Sequence, residues 1–152
     1  MSLRRLGREC AVQFLYQHHA GAGTPQGKGL ENPDKALELF WALREIEGPT
    51  REFAEGLIRG LFAHLVPVDE KIKIYAENWD FERIASVDLA ILRIACYEML
   101  FRDDIPPVVS INEAIEIAKR FSSEESGRFV NGILDRVRKD LLRPARHAAG
   151  GS

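Results

Sequence analysis

Apolar residues in this chain recur at the three- and four-residue intervals of an α-helix, and no run alternates for long enough to form a strand. The spacing predicts an all-α fold of about seven helices. The first spans Leu3 to Ala20, with Leu6, Cys10, Phe14 and Gln17 on one side and Leu3 nearby. A Gly- and Pro-rich loop covers 21–34. The second helix spans Asp34 to Ile46 with Leu37, Phe40 and Trp41 inward, and Gly48-Pro49 stops it. Thr50 is placed to cap the third, which reaches Leu65. Gly56 and Gly60, four apart on it, leave room for a close neighbour. Pro67 separates it from a fourth helix, Val68 to Asn78, and Trp79-Asp80-Phe81 turns into a fifth.

That fifth helix, Val87 to Phe101, has almost no polar side. Its only charges are Asp88, Arg93 and Glu98, which at about 100° per residue point in three directions. A helix apolar nearly all round is buried, and one this short does not span a bilayer. After Ile105-Pro106-Pro107, the sequence Ser110-Ile-Asn-Glu113 has the form of a capping box. The sixth helix gathers Ile111, Ala114, Ile115, Ile117, Ala118 and Phe121 in one sector. The last begins near Ser123 and reaches about Leu142. The tail over 143–152 is expected to be disordered.

Composition narrows the class. The chain has 152 residues, 45% of them hydrophobic and 29% charged, which suits one globular domain with a core of its own. A net charge of −2 excludes a uniformly basic nucleic-acid binder but not a local basic patch, because placement rather than the sum binds phosphate. Cys10 and Cys96 are isolated thiols, which points to a reducing compartment, with the cytoplasm as the expected location. Neither a signal peptide nor a transmembrane run is expected.

Catalytic patterns are missing. His18 and His19 are adjacent and point about 100° apart on a helix, so they cannot share a metal. Gly27-Lys28-Gly29 falls short of a phosphate-binding loop: no Ser or Thr follows the lysine and no strand precedes it. The expectation is a non-enzyme without cofactor or metal.

Binding chemistry is better represented. Arg4, Arg5 and Arg8 crowd the first two turns of the first helix, where cations oppose the helix dipole. Helix stability does not account for them, while a polyanionic partner would. Tyr16 shares a face with Arg5 about 16 Å further along, and an exposed tyrosine can stack on an unpaired base. A solvated arginine face with a half-buried tyrosine fits the same pattern. Phe129 sits at the edge of the apolar stripe formed by Ile133, Leu134, Val137 and Leu141, beside Glu125, Gly132 and Arg136. It suits either a stacking platform or a core rim. Arg93 calls for a carboxylate if buried, or a phosphate if it reaches the surface beside Tyr97.

Four segments taken together resemble one family. Arg4-Arg5 with AVQFLYQ, then ILRIACYEM, IPPVVSINEAIEIAK and RFVNGILD, are similar in content and order to the bacterial transcription antitermination NusB family. The resemblance runs from residue 4 to about 138 and is weakest over 21–67. It implies two small packed helix bundles, over about 3–66 and 68–142, and no catalysis. It implies binding of boxA-type single-stranded RNA together with a small-subunit ribosomal protein, NusE. The pair would join elongating RNA polymerase with other Nus factors, notably on ribosomal RNA operons. Carried over by position, RNA contacts fall at Arg4, Arg5, Arg8, Gln13, Tyr16, Arg93, Arg128 and Phe129. Glu125 would border that surface and limit affinity. Asp88, Ile105 and Pro107 would face the protein partner. Gly127 departs from the family pattern, since a side chain is more usual there. Two other readings stand beside this one. RNA cytosine methyltransferases begin with a similar domain, although 152 residues leave no room for their catalytic part; the alternative is a purely structural helical homodimer.

Overall fold

A computed structural model of the chain describes residues 2–18, 33–76 and 81–141. Among them are seven α-helices and no strand: α1 (Leu3–His18), α2 (Asp34–Ala42), α3 (Pro49–Ala63), α4 (Leu65–Ala76), α5 (Ser86–Phe101), α6 (Pro107–Phe121) and α7 (Glu124–Lys139). A single 3₁₀ turn, Phe81–Arg83, precedes α5. The glycine loop with Gly27-Lys28-Gly29, His19, Trp79-Asp80 and the tail beyond 141 lie outside the described residues.

Helix α5 is the axis of the fold. It packs against α1, α3, α4, α6 and α7, while α1 pairs with α3 and α6 with α7. Every residue from Asp88 to Met99 is buried. The three charges read from the sequence do point three ways, and each finds a different helix. Asp88 meets Ser126 on α7, Arg93 meets Asp69 on α4, and Glu98 meets Arg8 on α1 and Ser110 on α6. A buried charge is tolerated only with such partners. The charges on α5 therefore fix which helices surround it, while the apolar residues between them fill the core.

Prolines and glycines set the helix ends differently from the sequence expectation in three places. Gly48 adopts φ +73, a conformation open to glycine, and Pro49 then starts α3. Thr50 is thus inside the helix and buried, not its cap. Pro67 does not break the chain: it sits in the first turn of α4, where a backbone N–H would have no intrahelical partner. Pro107 likewise opens α6 three residues before Ser110. The expected capping box is not formed, because the Ser110 hydroxyl donates to Glu98 at 2.8 Å and Glu113 turns to Arg5. The Ser123 cap of α7 is formed, its hydroxyl accepting from the Ser126 N–H at 3.0 Å.

Gly60 is the close-approach glycine that the pair 56/60 suggested. A Cβ added there would lie 1.8 Å from the Tyr97 hydroxyl of α5, whereas Gly56 meets nothing nearer than 4.0 Å. Gly127 serves the α6–α7 crossing: a Cβ would meet Lys119 Cγ at 2.9 Å. On α1 the buried face is broader than the expected stripe, running without a break from Gly7 to Val12, and both Leu3 and Gln17 are exposed.

Candidate nucleic-acid interface

The candidate surface forms where α1, the start of α5 and the α6–α7 turn come together. Two grooves lie side by side there. The first, of about 360 Å³, is lined by Val12, Gln13, Tyr16 and Gln17 of α1, Val87 of α5 and Phe121 of α6. The second, of about 230 Å³, is lined by Arg83, Ile84, Ala85, Asp88, Ser123, Glu125, Ser126 and Phe129. Val87 and Asp88 are neighbours on α5, so the two grooves meet across its first turn.

Side-chain exposure sorts the expected residues. Tyr16 is 53% exposed and Gln13 is also at the surface, because α1 buries the opposite side against α3 and α5. Phe129 is half-buried: one side joins the core cluster while the ring still lines the second groove. Arg128 and Glu125 are exposed in the first turns of α7, and Arg128 has no ion-pair partner among the described residues. Arg4 is exposed and stacks its guanidinium 4.8 Å from the Phe53 ring centroid.

The remaining arginines are engaged inside the protein. Arg5 is partly exposed and clasps Glu113, with Nε 3.0 Å from one carboxylate oxygen. Hydrogen bonding to Glu113 holds its guanidinium yet more firmly protonated, against the opposing effect of burial. Arg8 is only 3% exposed and gives Nε and Nη2 to Glu98 at 2.7 and 2.8 Å. Arg93 is equally buried and pairs with Asp69 through two bonds of 2.9 Å. Of the two readings open for Arg93, the structure takes the carboxylate. For Arg8 it differs from the expected phosphate contact, because α1 is enclosed on all sides between Gly7 and Val12 and Arg8 meets Glu98 of α5 there. Both guanidiniums lie below the surface with their donor forks already occupied.

The three residues assigned to a protein partner are not brought together. Asp88 is near the start of α5, in the second groove with Phe129 and Glu125. Ile105 and Pro107 follow the far end of the same helix, which lies about 20 Å from Asp88 at 1.5 Å per residue, and both are buried. Near that end, Phe101 stacks on His64 at 4.1 Å and stays partly exposed, as does Val109.

Sequence reasoning placed Phe121 in the core sector of α6. It is only half-buried and forms the wall of the first groove opposite Tyr16. Its position as the last residue of α6 was the available signal, since an apolar residue at a helix end has fewer neighbours to cover it. Glu9 and Arg120 were also passed over. Arg120 reaches the buried Glu9 at 3.0 Å and ties the end of α6 to α1 beside the groove. Both thiols are buried, and burial pushes Cys96 up to about 12 and raises Cys10 as well, which keeps them protonated and unreactive. Among the described residues no His, Cys, Asp or Glu cluster could hold a metal, and no helix is long and apolar enough to cross a membrane.

Comparison with known proteins agrees with the resemblance. A transcription antitermination protein NusB from Methylacidiphilum infernorum is 46% identical over 95% of this chain and 96% of its own. The solved structure of Thermotoga maritima NusB superposes with a TM-score of 0.75 at 40% identity, covering 97% of this chain and 94% of that one. A further structure, antitermination factors NusB and NusE in complex with dsRNA, shares the fold at 22% identity with a TM-score of 0.72, covering 93% and 99%. The family model for the NusB family matches residues 5–139, and the chain belongs to that family.

Proposed function

We propose that this protein is a transcription antitermination factor. It binds boxA-type single-stranded RNA together with a small-subunit ribosomal protein acting as NusE. The complex joins elongating RNA polymerase and other Nus factors, notably on ribosomal RNA operons. The reading involves no catalytic step and no cofactor.

The observation that carries it is the pairing of exposed or half-buried aromatics across adjoining grooves. Tyr16 and Phe121 border one, and Phe129 borders the next. Stacking on such rings accepts any unpaired base, and each stacked base contributes about 1–3 kcal/mol. Arg4, Arg5 and Arg128 supply phosphate contacts around these grooves, and Gln13, which lines the first of them, supplies an amide to a base. Arg8 and Arg93 act as positioning residues, holding α1 and α4 against α5 through Glu98 and Asp69. With so few arginines assigned to phosphate among the described residues, the chain is a weak binder alone. A partner docked at the far end of α5, where Phe101 and Val109 are exposed, would extend the surface and raise affinity through shared contacts.

The direct test is electrophoretic retardation of a boxA RNA by the purified chain, with and without the ribosomal protein. Selective retardation that strengthens when the partner is added supports the reading. Equal retardation of a scrambled RNA with and without partner refutes it. A chain that remains dimeric and ignores both ligands would point to the structural homodimer.

A further inference from the structure

Four carboxylates are buried among the described residues, and three of them lie on or against α5. Asp69 and Glu98 each accept two bonds from a buried arginine. Asp88 accepts from Ser126 at 3.3 Å, and its Oδ1 has no hydrogen-bond partner among the described residues. Glu9 differs from all of these. It sits on α1, only 4% exposed, and both of its oxygens accept from one nitrogen, Nη1 of Arg120, at 3.3 and 3.0 Å. The Arg120 side chain is more than half exposed. Burying a carboxylate against so exposed a partner is costly, and an apolar side chain of the same length would fill the space. Core packing therefore gives no reason for Glu9.

Its placement gives one. Helix α1 packs chiefly on α3 and α5, and α6 on α5 and α7, so long side chains bridge α1 to α6. Arg5 clasps Glu113, and one turn further along α1 Glu9 holds Arg120. Glu9, Gln13 and Tyr16 follow at i, i+4 and i+7 along one edge of α1. Beyond the Glu9–Arg120 rung the first groove opens between Tyr16 and Phe121. Phe121 is the last residue of α6 and directly follows Arg120, whose guanidinium lies 5.9 Å from its ring centroid.

We infer that Arg120 is a positioning residue of the RNA surface: its ion pair with Glu9 holds the end of α6 at a fixed distance from α1 and so sets the opening between Phe121 and Tyr16. The inference rests on the RNA-binding reading above and adds to it a residue that acts through its neighbour. A guanidinium beside a groove would also suit a phosphate. Two observations favour positioning. Withdrawing Nη1 would strand a buried carboxylate without its counter-charge. The tie also falls in the last turn of α6, where backbone carbonyls run out of intrahelical partners and a side-chain anchor has most effect.

Fluorescence anisotropy of a labelled boxA RNA with the full chain, with the ribosomal protein present, tests this. Glu9→Met separates charge from position. It removes a negative charge and releases the guanidinium, so charge alone would tighten binding. Positioning gives the opposite: affinity about fivefold weaker, the low end of what one stacked base contributes. The thermal midpoint should be no lower than wild type, because methionine fills the buried site. Arg120→Gln should weaken binding to a similar extent with the salt slope unchanged, and Arg120→Lys should restore much of the loss. In a Phe121→Ala background neither Glu9→Met nor Arg120→Gln should cost further affinity. Tighter binding by Glu9→Met overturns the inference. So does an Arg120→Gln slope lower by about one, or a loss that persists in full without the Phe121 ring. If Glu9→Met fails to fold, Arg120→Gln carries the same test, since it alters an exposed side chain. Wild-type binding with any overturning result defeats the positioning role alone. A wild-type chain that ignores boxA RNA even with the partner defeats both this role and the reading beneath it.

Discussion

Arg8 of α1 and Glu98 of α5 form a bidentate ion pair that is almost wholly enclosed, and the Ser110 hydroxyl of α6 closes the same carboxylate. Three helices meet at one charged cluster. Removing one member of a buried pair leaves the other without a counter-charge, which costs about 3–5 kcal/mol. Arg8→Ala should therefore lower the urea midpoint by that equivalent. The double variant Arg8→Met/Glu98→Gln should recover much of the loss, because the stranded charge is gone. Where Arg8→Ala still folds, the salt slope of RNA binding should not change. A slope reduced by about one ion would instead make Arg8 a phosphate contact.

The approach of α3 to α5 at Gly60 gives a second prediction. Alanine there must displace the Tyr97 ring, whose hydroxyl and Cζ would lie 1.8 and 2.2 Å from the new methyl. Overpacking of this kind costs about 1–3 kcal/mol. Gly60→Ala should lower the thermal midpoint in the wild-type background and cost far less in a Tyr97→Ala background. Additive effects of the two substitutions would show that the ring is not the obstacle.

Much of this arrangement was legible in the residues. Seven helices, the burial of α5 and the divergence of Asp88, Arg93 and Glu98 follow from periodicity, since a 3.6-residue repeat fixes angles around a helix. Helix starts were less legible because Pro67 and Pro107 read equally as breakers or as first-turn residues, and only tertiary packing decides. The same holds for Ser110 and Glu113. Their spacing suits a cap, but Glu98 and Arg5 offered stronger, charged partners. The arginines of α1 show the limit most clearly. Which of Arg4, Arg5 and Arg8 is free depends on carboxylates about 90 to 110 residues away, and no local pattern records those.

Asp88 is predicted to cost stability. Its folded pKa lies above its ordinary value because burial disfavours the charged form. The folded state thus holds its proton more tightly than the unfolded chain. Stability from this group is full below the unfolded pKa and falls as pH rises through the folded value. At neutral pH the chain bears the penalty of a buried, half-satisfied carboxylate. Asp88→Asn should raise the thermal midpoint at neutral pH and lose that advantage in acid. A variant less stable than wild type at neutral pH would show that the carboxylate is satisfied after all.

Arg5 and Arg128 should differ in how they contribute to RNA binding. Arg128 is exposed and without an ion-pair partner among the described residues, so a phosphate that it meets displaces only solvent ions. Arg128→Ala should weaken binding across sequences and lower the salt slope by about one. Arg5 begins neutralised by Glu113, with Nε bonds of 3.0 and 3.1 Å. To bind phosphate it must exchange one carboxylate for another anion, and that exchange releases little net counter-ion. Arg5→Ala should therefore lower the slope by clearly less than Arg128→Ala does. Glu113→Gln frees the guanidinium while keeping the side chain's shape, so affinity should rise and the slope steepen by about one. These slopes come from titrations at several salt concentrations. If Glu113→Gln weakens binding instead, the ion pair serves to aim Arg5 at the RNA rather than to compete with it.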